Sequence, residues 1–290
     1  MKTSAIVRLI LWGIVALGLT ALLVVCLTVN WSNIGSWGFG FGGTTYADSS
    51  LYQAGGTTLA AADVRAVEVH WTSGDVRIAA YDGDTVQVSE QASGSLDTDK
   101  QLHWRLTDDG RLIVQYTASG WHWGVFRIPH KVLTVQVPRD MAKLDVVMLE
   151  VVSADATVEG MQTAKLDANS VSGEVTLREV QADTLDVETV SGNVTASGRF
   201  ERVDANSVSG EVSVASSVCP NRVDAETVSG SVELTIPEND GFTCELDSVS
   251  GDLQADFAAT VSKSRMVYGD GSARFDVETV SGDVRIRKAG

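Results

Sequence analysis

Acidic residues recur at fixed distances from a repeated Ser-Gly pair. Five positions before the Ser stand Asp167, Asp186, Asp204, Asp224, Glu245 and Asp276; three before it stand Asn169, Glu188, Asn206, Glu226, Asp247 and Glu278. Carboxylates at even intervals are hard oxygen donors, suited to holding a divalent cation between neighbouring repeats. Gathered in a cleft, two of them can also cleave glycosidic bonds. Neither chemistry has its companions here. The chain has no Gly-rich calcium nonapeptide and no EF-hand loop, and no acid pair stands apart from the repeat. The pattern instead favours a solvated face that keeps a sheet soluble and blocks lateral pairing. Such a face is costly: two full charges about 5 Å apart in water repel by roughly 0.8 kcal/mol before screening. A stack of them needs something to offset it.

The remaining candidates for chemistry are fewer. His70, His103, His122 and His130 lack metal-ligand spacing such as H-E-x-x-H. There is no G-x-S-x-G elbow and no P-loop. The Ser of each Ser-Gly pair reads as a corner residue rather than a nucleophile. The sequence therefore predicts no catalytic residue, no metal site and no cofactor. Cys219 and Cys244 read as unpaired thiols, because Cys244 falls in an apolar column and Cys219 lies roughly 13 Å away from the neighbouring position of that column in extended chain. In GWHWGVFRIPH (120–130), Trp121, Trp123 and Phe126 are either core filling or a contact surface for a sugar or a protein. They are the preferred partner contact if the chain binds something.

The elements that must carry these residues follow from the spacing. The Ser of the pair falls at 73, 172, 191, 209, 229, 250 and 281, and Ser153 joins the series with Ala154 in place of Gly. From Ser153 the steps are 19, 19, 18, 20, 21 and 31 residues, a period that marks a solenoid. Six and four positions before the Ser the residues are apolar (Leu166 and Ala168, Leu185 and Val187), and three and five after it they are apolar again (Val175 and Leu177). Period-2 alternation on both sides of a V-S-G corner describes two short strands meeting at a bend. One such rung has no partner for its backbone or its apolar face, so it must recur. The fold class expected is all-β: a single-stranded, right-handed parallel β-helix, or β-solenoid. Upstream, QLHWRLTDDGRLIVQY (101–116) reads as a hairpin turned at Asp109-Gly110, and MVYGDGSARF (266–275) as a partial rung before the last one.

The start of the chain differs from the rest. Leu9 to Val29 carries no charge, and as a helix would span roughly 31 Å, the thickness of a bilayer core. Lys2 and Arg8 precede it and the next basic residue is Arg65, which places the N terminus in the cytoplasm. A cleaved signal peptide would have a shorter apolar core, and a lipoprotein would want a small residue where Val25 precedes Cys26. The expected organisation is a cytoplasmic stub and transmembrane anchor at 1–30, a Gly/Ser/Thr-rich tether at 31–62, and a β-solenoid at 63–290. Within the last, 63–140 holds irregular first turns and a cap, and 141–290 the regular rungs. The formal net charge of −16 and the absence of a basic run exclude a nucleic-acid partner.

A membrane anchor, an early SGDVRI, V-x-V-P before the regular rungs, repeated TVSGDV-like phrases and a late GDGSARFDVETVSGDVRI together resemble the bacterial "putative adhesin" family. The resemblance covers roughly residues 60–290. It implies a membrane-anchored β-solenoid of the cell envelope, brings no catalytic residues and names no ligand. The function expected is a non-enzymatic, single-pass envelope protein, integral to the bacterial cell membrane, whose extracytoplasmic solenoid binds a surface, wall or membrane-protein partner or scaffolds there. An envelope-stress sensor or regulator acting on a membrane neighbour is the alternative. A polymerising scaffold and a polysaccharide-active enzyme follow.

Overall fold

Val, Thr and Asp alternating along each phrase give strands that present one face inward, and the computed structural model describes them at residues 43–44, 46–121, 129–262 and 265–289. These residues form an all-β structure in which the only helical elements are three 3-10 turns. Among them no helix is long and apolar enough to cross a membrane, and the span expected at 9–29 lies outside the described residues.

The strands stack in parallel as a β-solenoid of nine layers. The first layer in space is Arg111–Gln115 with Lys131–Pro138; the second is Ala66–Tyr81 and the third Leu144–Glu159. Layers four to seven follow in chain order, from Gln162–Ser170 to Arg222–Thr227 with Val232–Ile236. The eighth layer is the last in sequence, Ala273–Thr279 with Val284–Lys288. The ninth is Gly241–Ser248 with Leu253–Ala255. Spatial order therefore departs from chain order at both ends.

The inward columns are buried as one core: Leu166, Leu185, Val203 and Val223 on one side of the corner, Leu177, Ala196, Val214 and Leu234 on the other. Phe200, Phe242 and Phe275 are buried in the same core, and Phe275 stacks on Phe242 with centroids 4.9 Å apart.

The V-S-G corner explains its own composition. A Cβ on Gly192 would lie 2.0 Å from the carbonyl oxygen of Gly173, and one on Gly210 would lie 1.9 Å from that of Gly192. The same column continues through Gly230, Gly282 and Gly251, so each corner rests directly on the backbone of the corner beneath it. Rotamer change cannot relieve an overlap with backbone, and Gly is required by the approach rather than by a turn angle.

Both ends are closed by strands running the other way. His103–Leu106 and Thr85–Ala92 pair antiparallel with the two halves of the first layer, and Arg265–Gly269 pairs antiparallel with the start of the ninth. These strands occupy edges that would otherwise template aggregation. The hairpin at Asp109-Gly110 is present, with Gly110 at φ +82. The stretch MVYGDGSARF is not a partial rung: its first half is that antiparallel strand, and its second half begins the eighth layer.

Candidate functional site

Two hydroxyls at each corner from Ser172 to Ser229 are already committed. Two residues before the corner Ser, the side chains of Ser170, Thr189, Ser207 and Thr227 donate to the carbonyls of Gly173, Gly192, Gly210 and Gly230 at 2.7–3.0 Å. All four are buried. The corner Ser itself donates to the layer below: Ser172 to the carbonyl of Val152, Ser191 to Val171, Ser209 to Val190 and Ser229 to Val208. Each corner is thus tied once within its layer and once to its neighbour. The inner hydroxyl column escapes a reading by polarity. Its signal is the Ser or Thr two positions before each Ser-Gly pair from Ser172 onward.

The acidic ladder is assembled as one outward column. In space it runs Glu68, Met148, Asp167, Asp186, Asp204, Asp224, Asp276 and Glu245. Beside it, two residues earlier in each strand, lies a column containing Lys165, Arg202, Arg222 and Arg274. Lys165 reaches Asp167 at 3.0 Å and Asp186 at 2.9 Å, so one ammonium ties two layers. Arg222 reaches Asp224 at 2.5 Å and Asp276 at 3.8 Å, and Arg274 reaches Asp276 at 2.7 Å. This flanking column offsets the repulsion. It was written in the sequence as K-x-D and R-x-D.

The offset is incomplete. Burial holds the Asp167 carboxyl above its ordinary value in spite of its bond from Lys165. Asp204 is raised by burial and by its close neighbour Asp224. In the next column Glu188 and Glu226 are raised by burial and by surrounding carboxylates. One oxygen of Glu188 is buried without a hydrogen-bond partner. Among the described residues no three His, Cys, Asp or Glu side chains converge as a metal-binding group.

At the other end of that second column stands His70. Its Nδ1 lies 2.6 Å from Glu150 and its Nε2 2.7 Å from Glu68, which also receives Arg111 at 3.2 Å. Burial by itself would lower the imidazole, but the two carboxylates outweigh it and lift its pKa to about 9. His70 is therefore a cation at neutral pH that joins layers two and three.

The Toastrack DUF4097 family matches residues 64–287, nearly the whole stack. The chain belongs to that family. Similar solved structures include a putative adhesin from Bacteroides fragilis, 13% identical over 81% of this chain and 97% of that one, with a TM-score of 0.48. Another from Parabacteroides distasonis is 14% identical over 82% and 97%, with a TM-score of 0.42. A putative cell adhesion protein from Clostridium sporogenes is 10% identical over 82% and 100%, with a TM-score of 0.38. No curated relative matches the chain.

The other candidate residues of this Toastrack domain are scattered. Trp123 and Phe126 lie outside the described residues; the backbone of Trp121 pairs antiparallel with Gly43. His103 contacts the carbonyl of Gln101 at 3.0 Å, His130 lies 3.8 Å from Asp75, and His122 falls outside the described residues. Cys219 and Cys244 are both free, with thiols pushed up by burial to about 11 and about 12. Sequence reasoning missed Lys131. Its ammonium is fully buried in the first layer, 2.6 Å from Glu90 and over the rings of Trp71 and Tyr116 at 4.9 and 4.2 Å. It also donates to the carbonyls of Lys100 and Tyr116. Satisfied on every side, it closes the end of the core as a structural cation.

Proposed function

We propose that this Toastrack chain is a non-enzymatic, single-pass envelope protein whose domain outside the membrane binds or scaffolds at the cell surface in an adhesin-like role. The anchor is residues 1–30, with its N terminus in the cytoplasm; the tether is 31–62, its strands Gln53–Ala54 and Thr57–Ala60 docked on the cap, and the right-handed, single-stranded solenoid is 63–290. The uncharged Leu9–Val29 span with Lys2 and Arg8 before it supports the anchor.

One observation carries the binding reading: outward residues are laid out as continuous columns across the layers, while the corner hydroxyls are spent on corner bonds. Catalysis needs unlike groups converging on one point. A long face repeating the same groups at about 4.8 Å intervals instead suits an extended partner met many times weakly.

The test uses cells carrying the full chain with an epitope after residue 290. Antibody should label intact cells, and cells with the chain should retain isolated wall material or neighbouring cells better than cells without it. Loss of that difference under a calcium chelator would assign the acidic columns to the contact. An epitope reached only after permeabilisation, or equal retention by both cell types, would reject the reading.

A further inference from the structure

The eighth layer is wedged between two layers that precede it in sequence. After Val232–Ile236 the chain crosses 237–240, lays down Gly241–Ser248 and Leu253–Ala255 one layer too far, and returns to fill the gap with Ala273–Thr279 and Val284–Lys288. The inserted segment bonds on both sides. Val280 and Ser281 donate to the carbonyls of Thr227 and Val228 beneath, while Val249 and Ser250 above donate to those of Thr279 and Val280.

The slot is specific for a kind of phrase. Phe275 lies between Val223 and Cys244, Val277 between Ala225 and Leu246, and Thr279 between Thr227 and Ser248. Gly282 rests on the carbonyl of Gly230 and supports Gly251 in turn. The two walls are also complementary to each other, position by position, and only 237–240 joins them. If the wedge leaves, 237–240 still joins the two walls, which face each other in the same register. No interior layer can leave so cheaply, because its chain continues directly into both neighbours.

The return path gives a place to hinge. The antiparallel strand Arg265–Gly269 holds one edge of Gly241–Ser248 and the wedge holds the other. The chain steps over the start of that strand at Gly241, where a Cβ would lie 2.3 Å from the amide nitrogen of Asp270. Gly269 and Gly271, at φ +55 and +70, make the step. The 256–272 path extends to about 55 Å when drawn out, enough to reach a neighbouring molecule.

We infer that the slot between 222–236 and 241–255 accepts residues 273–288 from a second copy of this chain, so that two copies exchange their last rungs. Among the described residues a released wedge has no other open slot in its own chain, whereas a neighbour's slot offers the same columns, the same Gly contact and the same Phe242 stack. Exchange of an identical element is a low-cost route to association, and pairing strands supplies its affinity. The inference stands whether or not the chain acts at the cell surface.

The experiment mixes two full-length chains, one carrying Glu226→Cys and the other Glu278→Cys. These positions face each other across the slot in parallel register, close enough for a disulfide. After incubation and oxidation, the expected result is a disulfide-linked species at twice the chain mass, joined at 226 and 278, whose yield rises with protein concentration. The control mixes Asn206→Cys with Glu226→Cys, which face each other across two layers that do not exchange, and should give none. Phe275→Ala, which removes the stack on Phe242, should speed the exchange. The inference is overturned if the 226–278 dimer is absent while a single chain with both cysteines closes its own bridge, or if the control pair dimerises equally.

Discussion

His70 shows how much of this fold is decided by single side chains. With Glu68 and Glu150 on its two nitrogens it is protonated up to about pH 9 in the folded chain, against an ordinary value near 6.5. A pKa raised by folding stabilises below the unfolded value, and that contribution fades as pH rises through the folded one. The shift corresponds to on the order of 3 kcal/mol. Between pH 6.5 and 9.5 the melting temperature should therefore fall, and His70→Gln should flatten that slope while lowering stability at pH 6.5. An equally steep slope in the variant would remove His70 from the account. Little of this was legible beforehand: His70 had no motif, because its partners come from its own strand and from a layer 80 residues away. The corner serines, by contrast, were assigned correctly, since a residue repeated at every bend is more economically explained by the bend.

At the level of the element, the phrase fixed the strands and their inward faces, because alternation and a Ser-Gly corner admit no other periodic structure. The order of layers was hidden for the same reason. Near-identical phrases are near-equal neighbours, so register says nothing about which rung follows which; connection geometry decides it. Gly241 is the residue where that decision is visible, since the chain crosses it on the way from the outer strand to the wedge. Gly241→Ala should cost about 2–4 kcal/mol through backbone overlap. Hydrogen exchange read by mass spectrometry should show faster exchange confined to 241–288, with the 144–207 layers unchanged. Uniform loss of protection, or none, would mean that the crossing does not hold the wedge.

The whole molecule is acidic, and its outward columns concentrate that charge along one direction. The flanking Lys and Arg residues neutralise part of it, yet the raised pKa values of Asp167, Asp204, Glu188 and Glu226 mark repulsion and burial left over. Mobile ions damp such repulsion with a decay length of about 10 Å at 0.1 M salt, against about 30 Å at 0.01 M. The melting temperature should accordingly rise from roughly 10 mM to 150 mM sodium chloride. A fall would show that the ion pairs, rather than the uncompensated acids, dominate.

The Gly column has a consequence for inheritance. Because each corner sits on the backbone of the last and presents the same surface to the next, the domain can change size only in whole units. A duplication of residues 167–185 would lengthen the stack by one layer, about 4.8 Å, with every column in register. A single residue added within a strand would turn its inward face outward and be lost, whereas a turn absorbs one, as the change of offset from 19 to 18 between Leu177 and Val180 shows. Recombination between its own near-identical phrases therefore gives this gene a ruler with marks some nineteen residues apart.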